Sequence, residues 1–504
     1  MKHIIVLERD DLYFDQIKTQ FKELGEYEVV RHIDVQELFG WLKQVIASSK
    51  EGGKKPNIGL FVIEEDLLTE KLNVALLAKM RDLLVQGGLT DPEQPAGFIL
   101  TSYSTSLDKI SAHIHETVFN IIHKPFDKMT LKEFLNVALA GRAPIATEMY
   151  QHDGEVVLEI IKLIPLRAVS EIGFRTQASR PIESGNKARY ISEHFGSKET
   201  PGSIFAYCTN TEKQEDEKFE GSFSFFGAGQ EDLRKVRINI QKANNKESEP
   251  ILNEDEKRID LDKKVIILTA NPELFEDTKS KIEDRFEQIE FLHAKTIDES
   301  LEEEDSGIAG FPVEAVFVHK EIHKNNDFEN IKEYIDKRCD PKSHIKYFAI
   351  DEEPLSNYQS MKRYQDYADF FTLPLDRFYF DRKLKQHCPN WKIKNKEVLT
   401  RDIMSVEDSI KSAIEVPVNK ISEIGLTLMY HRELPVTTLR TFIIPSVDGT
   451  SEEEVTAMCH YSEKIEKDVF KNDFIFVGVT DHQQKFIRKW MVAKYANAKA
   501  KANG

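Results

Sequence analysis

Val169-Ser170-Glu171-Ile172-Gly173-Phe174 returns half a chain length later as Ile421-Ser422-Glu423-Ile424-Gly425-Leu426 in this sequence of 504 residues. A match at a fixed offset reports a repeated structural unit, so it bears on the architecture before any single element is assigned. Outward from the two hexapeptides, three more features recur in the same order. His3-Ile4-Ile5-Val6-Leu7 is matched by Lys264-Val265-Ile266-Ile267-Leu268, and His123-Lys124-Pro125-Phe126 is echoed by Thr372-Leu373-Pro374-Leu375. Near the end of each half, Phe225-Phe226-Gly227 with Glu231-Asp232-Leu233-Arg234 parallels Phe476-Val477-Gly478 with Gln483-Gln484-Lys485-Phe486. Four matches in one order imply two copies of a two-domain unit, A–B–A–B.

Each A unit reads as alternating strands and helices. In the first, short apolar runs at Ile4–Leu7, Ile58–Ile63, Gly97–Leu100 and Phe119–Ile122 are separated by stretches with apolar residues at helical spacing, Leu67–Leu84, Leu107–Ile114 and Leu131–Leu139. The second repeats the strands at Val265–Leu268, Ala315–Val318, Tyr347–Ile350 and Phe370–Leu373. That alternation predicts a parallel sheet covered on both faces. The B units read as short strands broken by turn residues: Val156–Ile164, Phe174–Thr176, Ala188–Ile191, Ile204–Cys208 and Phe219–Phe226, closed by a basic helix from about Glu231. Such spacing suits a small antiparallel barrel. The expected domains are 1–142, 143–242, 263–390 and 391–497, joined by a charged, apolar-poor linker over 243–262. Asp298–Asp305 reads as a solvated acidic loop and Asn497–Gly504 as a frayed end. Each half is expected to fold as its own A–B pair, so cutting at the linker should leave two soluble pieces.

Composition bounds the function. Hydrophobic residues make up 40% and charged residues 31%, which excludes a mostly disordered or fibrous chain. A net charge of −17, from 86 acids against 69 bases, argues against broad contact with nucleic acid or an anionic membrane. Cys208, Cys339, Cys388 and Cys459 lie far apart without metal-ligand spacing, and neither His387-Cys388 nor Cys459-His460 makes a zinc site, so a reducing compartment is expected. No apolar run approaches the ~20 residues of a membrane helix, and Glu8, Asp10 and Asp11 stand where a signal peptide would be apolar. The expected location is cytoplasmic. No G-x-S-x-G, H-E-x-x-H or Walker loop occurs, so no enzyme is expected.

Acids after the first strand, a hydroxyl residue after the fourth and Lys-Pro after the fifth make the A units resemble response-regulator receiver domains. The resemblance implies a flavodoxin-like parallel fold and a phosphate pocket: carboxylates holding Mg²⁺, an acceptor Asp after the third strand, and Lys and Ser/Thr gripping phosphoryl oxygens. Here Glu8, Asp10 and Asp11 would supply acids, Thr101 and Ser102 the hydroxyls and Lys124 the cation, but Glu64 stands where the acceptor Asp belongs. A glutamate one methylene longer does not reproduce the in-line geometry. Lys124 reads either as an exposed loop lysine or as bonded to Glu64 or Glu8. The second A unit departs further, with Thr269-Ala270-Asn271, His319-Lys320 and Leu373 at the corresponding points, and resembles a pseudo-receiver.

Ser170-Glu171-Ile172-Gly173-Phe174-Arg175 followed by Arg180-Pro181-Ile182 and Gly185, and its second copy around Ser422 and Gly425, resemble the middle of a PilZ domain, a small barrel that binds cyclic di-GMP. The resemblance implies arginines in an R-x-x-x-R stretch and a D-x-S-x-x-G strand turn as ligand contacts. No R-x-x-x-R occurs, Arg142 and Arg401 each stand alone before a barrel, and Ala168 and Lys420 replace the Asp. Ser170, Gly173, Ser422 and Gly425 survive, with Arg175 and Arg180 nearby as nucleotide-binding candidates. Ser-x-x-Gly is also a turn in its own right, with Gly supplying a positive φ, and that reading is preferred. Together these features point to a non-enzymatic bacterial signalling scaffold that contacts other proteins of a signalling or motility pathway. No cofactor or metal is expected, and cyclic di-GMP is the one ligand the resemblance would bring. The alternatives are a cyclic di-GMP receptor with altered contacts or a phosphorylatable regulator.

Overall fold

The structure, a computed structural model, describes residues 2–503 except 51–54, 69–71, 115, 142, 146–151, 215–216, 252–262, 297–312, 324–325, 338, 340–343, 395–398, 432 and 447–450. Arg142, the acidic run 298–305 and most of the expected linker lie outside the described residues. The chain begins with β1 (Lys2–Leu7), α1 (Asp11–Leu24), β2 (Tyr27–His32), α2 (Val35–Lys50), β3 (Asn57–Glu64), α3 (Val74–Gln86), β4 (Gly97–Ser102), α4 (Leu107–His113), β5 (Val118–His123) and α5 (Lys128–Ala140). These strands form a parallel sheet in the order β2-β1-β3-β4-β5. This is the flavodoxin-like 2-1-3-4-5 order, which opens its binding crevice at the carboxyl ends of β1 and β3. The central strands are apolar throughout because helices cover both faces: Ile4 to Leu7 and Leu60 to Ile63 are essentially inaccessible.

Next come β6 (His152–Ser170), β7 (Gly173–Ala178), β8 (Lys187–Ser192), β9 (Gly202–Lys213), β10 (Phe219–Phe226), α6 (Gln230–Lys242) and β11 (Lys246–Pro250). A second parallel set follows: β12 (Lys263–Leu268), α7 (Pro272–Glu283), β13 (Ile289–Ala294), β14 (Val313–His319), α8 (Lys320–His323), α9 (Phe328–Asp336), β15 (Lys346–Asp351), α10 (Tyr358–Lys362), β16 (Asp369–Thr372) and α11 (Arg377–His387). Its order, β13-β12-β14-β15-β16, has the same connectivity as the first. The chain ends with β17 (Thr400–Ile421), β18 (Gly425–Tyr430), β19 (Leu439–Pro445), β20 (Glu452–Glu466), β21 (Val469–Phe476) and α12 (Asp481–Asn503). Part of the segment read as linker is therefore a strand: β11 pairs antiparallel with the start of β17. The end read as frayed from Asn497 is helical as far as Asn503.

The compact units are not the two halves of the chain. One comprises Met1–Ile161 with Glu415–Gly504, the other Lys162–Ile414. The first parallel sheet thus shares its unit with the last antiparallel strands, and the second parallel sheet with the first antiparallel strands. This overturns the expectation that each half folds as its own pair.

In the first unit the antiparallel strands run β17-β18-β21-β20-β19, and residues 159–161 of β6 add a sixth strand beside β19. In the second unit they run β6-β7-β10-β9-β8, and residues 411–413 of β17 add the sixth beside β8. Each long strand therefore serves its own set at one end and the other set at its opposite end.

Within each unit, the parallel sheet's open edge is covered. In the first unit Asn120 Nδ2 on β5 donates to the Phe476 carbonyl at 3.0 Å, and the Gly478 amide donates to Ile121 at 2.9 Å. Ile424, Met458, Ile475 and Val477 join the apolar core of the parallel sheet. In the second unit Lys383 on α11 ion-pairs with Asp369 at 2.6 Å, both side chains fully buried, and donates to the Ser224 hydroxyl at 2.5 Å and the Phe225 carbonyl at 2.6 Å on β10. Burial disfavours the Asp369 carboxylate, yet Lys383 and His387 beside it hold its pKa below the ordinary value. Such edge cover removes unpaired backbone groups that would otherwise recruit another strand.

Candidate functional site

At the carboxyl end of the first parallel sheet, β1 delivers Glu8, β3 Glu64, β4 Thr101 and the turn after β5 Lys124. Lys124 is not the exposed loop lysine. Its side chain is fully buried, with Nζ 2.8 Å from Glu8 Oε2 and 3.6 Å from Glu64 Oε1, and it lies over the Tyr13 and Tyr103 rings at 4.7 and 5.0 Å. Thr101 Oγ1 donates to Glu8 Oε2 at 3.4 Å. Arg9, which sequence reasoning passed over, grips Glu64 with two bonds of 3.0 Å from Nε and Nη2. A bidentate guanidinium–carboxylate fork is among the strongest polar contacts a protein makes.

The four charged groups therefore balance: two carboxylates against Arg9 and Lys124. Burial raises the Glu8 carboxyl above its ordinary range, outweighing the Lys124 bond. For Glu64 burial also pushes upward, but the Arg9 hydrogen bond and the Lys124 charge prevail and hold it below its ordinary value. Beside this cluster Glu65 accepts from Ser102 Oγ at 2.5 Å and pairs with Lys109 at 3.0 Å.

The structure leaves Asp10 and Asp11 out of the cluster. Asp10 spends its carboxylate on capping α1, accepting from the Leu12 amide at 2.8 Å, and exposed Asp11 pairs with Arg31 at 2.5 Å. Asp-x-Leu at a helix start is a capping signal as much as an acidic one, and that signal was available in the sequence.

The corresponding end of the second parallel sheet follows from register. Leu7 lies opposite Ile63 as Leu268 lies opposite Val318, so His319 stands where Glu64 does. The same pairing puts Ala270 at the Arg9 position, Ile350 at Thr101, Asp351 at Ser102 and Leu373 at Lys124. Lys320 pairs with Asp351 at 3.0 Å and Glu353 at 3.1 Å.

The Ser-x-x-Gly segments are tight strand turns in both copies. Ser170 Oγ donates to the Gly173 carbonyl at 3.0 Å, and Ser422 Oγ to the Gly425 carbonyl at 3.2 Å. Both glycines are needed for a reason other than the one expected. Neither has a positive φ; a Cβ at Gly173 would fall 1.9 Å from the Phe223 carbonyl oxygen, and one at Gly425 2.1 Å from that of Phe474. Close backbone approach, not a left-handed turn, demands glycine there.

The basic residues of the first antiparallel set do not converge on an open site. Arg175 pairs with Glu249 of β11 at 2.6 Å, Arg401 reaches the same carboxylate at 3.6 Å, and Arg180 is exposed on the loop beyond β7. The cavity lined by Ser170, Arg175 and Arg401 measures about 20 Å³, room for one water and no more.

No family model matches the chain, and no curated protein matches it. Solved structures similar to it include receiver domains at low identity. They include a signal receiver domain of a two-component histidine kinase from Clostridium thermocellum (16% identity over 27% of this chain and 97% of that one, TM-score 0.22). A response regulator from Thermotoga maritima aligns at 16% over 28% and 99%, TM-score 0.21. The signal receiver domain of an HD domain-containing protein from Pseudomonas fluorescens aligns at 17% over 28% and 94%, TM-score 0.21. Scores this low carry no argument of their own; the strand order of the parallel domains shows a flavodoxin-like fold. Among the described residues no helix is long and apolar enough to cross a membrane.

Proposed function

We propose that the chain is a non-enzymatic bacterial signalling scaffold of the cytoplasm, an internal duplication of a receiver-like domain and a PilZ-like domain (1–142, 143–242, 263–390 and 391–497) that works through contacts with other proteins. The observation that carries this reading is the neutralised cluster of the first receiver-like domain. Arg9 takes both oxygens of Glu64 and Lys124 takes Glu8. Those are the two acids that metal binding and phosphate acceptance would need free. The pocket is then a fixed strut under the β5 edge, where the antiparallel strands dock. Incubation of the intact protein with acetyl phosphate and Mg²⁺ tests it by mass spectrometry. No phosphoryl adduct is expected, and one stable adduct on Glu8, Glu64 or Glu65 would transfer the reading to a phosphorylatable regulator.

A second reading, a cyclic di-GMP receptor, draws on one observation: Arg175 and Arg401, far apart in sequence, meet beside the Ser170 turn. Glu249 already occupies both, and an anionic ligand would have to displace it. We expect no binding tighter than about 100 μM, roughly 5.5 kcal/mol, in isothermal titration of the whole protein. A micromolar one-site heat abolished by Arg175→Ala would promote the receptor.

A further inference from the structure

Equivalent contacts cover the open edge of each parallel sheet, but the side chains inside them differ in kind. Asn120 stands opposite Ile99 as Asp369 stands opposite Phe348, and each accepts from the next backbone amide, at 2.7 Å from Ile121 and 2.9 Å from Phe370. Seven positions after the N-caps Asp127 and Asp376 come Phe134 and Lys383, and four further on Ala138 and His387. Among the antiparallel strands, Ile475 lies opposite Gly425 and Met458, and its counterpart Ser224 lies opposite Gly173 and Tyr207.

In the first unit Phe134, Ala138, Met458 and Ile475 are buried together in the apolar core. In the second the same places carry a closed polar network. Besides bonding Asp369 and the Phe225 carbonyl, Lys383 donates to Ser224 Oγ, which donates onward to Gln386 Oε1 at 2.9 Å. His387 Nε2 lies 3.0 Å from both Asp369 Oδ2 and the Tyr207 hydroxyl. The backbone acceptor is common to the two units: Asn120 donates to the Phe476 carbonyl and Lys383 to that of Phe225.

Each antiparallel set therefore suits one parallel sheet. Against the strands of its own half, Lys383 would face Ile475 and Met458, which offer an ammonium no oxygen. Phe134 and Ala138 would in turn bury the Ser224 and Tyr207 hydroxyls without the lysine and histidine that bond them now. A buried charge or hydroxyl deprived of its partner is far more costly than an apolar pair of the same shape. Unpaired polar groups raised against the wrong partner are one way in which similar surfaces are told apart.

We infer that Asp369, Lys383, His387, Ser224 and Tyr207 act as a pairing code, which assigns each parallel sheet to the antiparallel strands of the other half and rejects those of its own. The rival explanation is that chain connectivity alone, through the long strands β6 and β17, makes the assignment.

Spin labels on Leu107→Cys and His482→Cys, read by double electron–electron resonance, report the pairing in the intact chain. Both positions are exposed, and nearby Thr105 Oγ1 donates to the Gly478 carbonyl at 2.6 Å. The cysteines already present, Cys208, Cys339, Cys388 and Cys459, are buried. The labelled parent should show one short separation. Erasing the code with Asp369→Asn, Lys383→Phe, His387→Ala, Ser224→Ile and Tyr207→Met gives the second unit the first unit's residues, so that both pairings match. A second, longer separation is then expected beside the short one, with unfolding still cooperative. The short separation alone, in a protein that still melts cooperatively, would overturn the inference in favour of connectivity. If the erased variant does not fold, an exchange variant decides: Ser224→Ile and Tyr207→Met together with Ile475→Ser and Met458→Tyr. There the longer separation should dominate; retention of the short one, or failure to fold, would overturn the inference.

Discussion

Lys124 shows how a single residue changes meaning with its surroundings. On a loop it would be a solvated cation; here it has no exposed side-chain surface and its charge is answered by Glu8. Removing one partner of a buried pair leaves the other charge without compensation, whereas removing both is often nearly neutral. Lys124→Met should therefore destabilise the protein by about 3–5 kcal/mol, and the double change Glu8→Gln with Lys124→Met should restore most of that. Denaturant unfolding of the three proteins measures it; a single-variant loss under about 1 kcal/mol would mean that the pair is solvated and not a strut. The sequence placed Glu8, Glu64, Thr101 and Lys124 together because each follows a readable apolar strand. It hid Arg9 because nothing in a one-dimensional pattern tells a side chain that folds back onto a carboxylate from one that points away.

At the scale of elements, the helix that follows each antiparallel set, α6 or α12, docks by the same device. Arg237 lies seven positions into α6 and makes two 2.7 Å bonds to Asp376, the N-cap of α11. Arg488 holds the same position in α12 and reaches Asp127, the N-cap of α5, at 3.3 and 3.5 Å while also bonding Glu423 at 2.7 Å. Arg237 and Asp376 are about one-fifth exposed; Arg488 is nearly two-fifths exposed. A short bidentate pair shielded from water outweighs a long, wetter one. Arg237→Ala should cost about 1.5–3 kcal/mol and Arg488→Ala about 1 kcal/mol or less, read as shifts in unfolding midpoint; the reverse order would show that Glu423, not the N-cap aspartate, holds α12. The central strands and helices α3, α4 and α5 were legible from apolar periodicity. The edge strands β2 and β13 were not, because Tyr27–His32 and Ile289–Ala294 are half exposed and mix charged with apolar residues. Strand β11 was hidden for the same reason: a run of Lys, Glu, Ser, Glu and Pro has no apolar face, and only its partner β17 makes it a strand.

At the scale of the whole molecule, a sequence repeat reports likeness between segments and not independent folding. Repetition cannot say which copy of one domain packs on which copy of the other, since both pairings use nearly the same surfaces. The structure assigns 1–161 with 415–504, and 162–414 to the other unit. A cut in the linker therefore divides both units. The piece 1–245 would lack residues 411–413, which add the sixth strand beside β8, and would leave Asn120 and the β5 edge without Phe476 and Gly478. The piece 263–504 would lack residues 159–161 beside β19 and would leave buried Lys383 without Ser224 and Phe225. Exposed edges and an uncovered buried lysine favour aggregation over folding. Expressed alone, each piece should be insoluble or melt without cooperativity. Co-expressed, the two should purify together at one to one, because every contact named above is restored, and should melt below the intact chain, because both pieces leave out β11 and with it the Glu249 partner of Arg175 and Arg401. Two separately soluble halves, each melting as sharply and as high as the whole protein, would show that the receiver-like and antiparallel domains pair within each half.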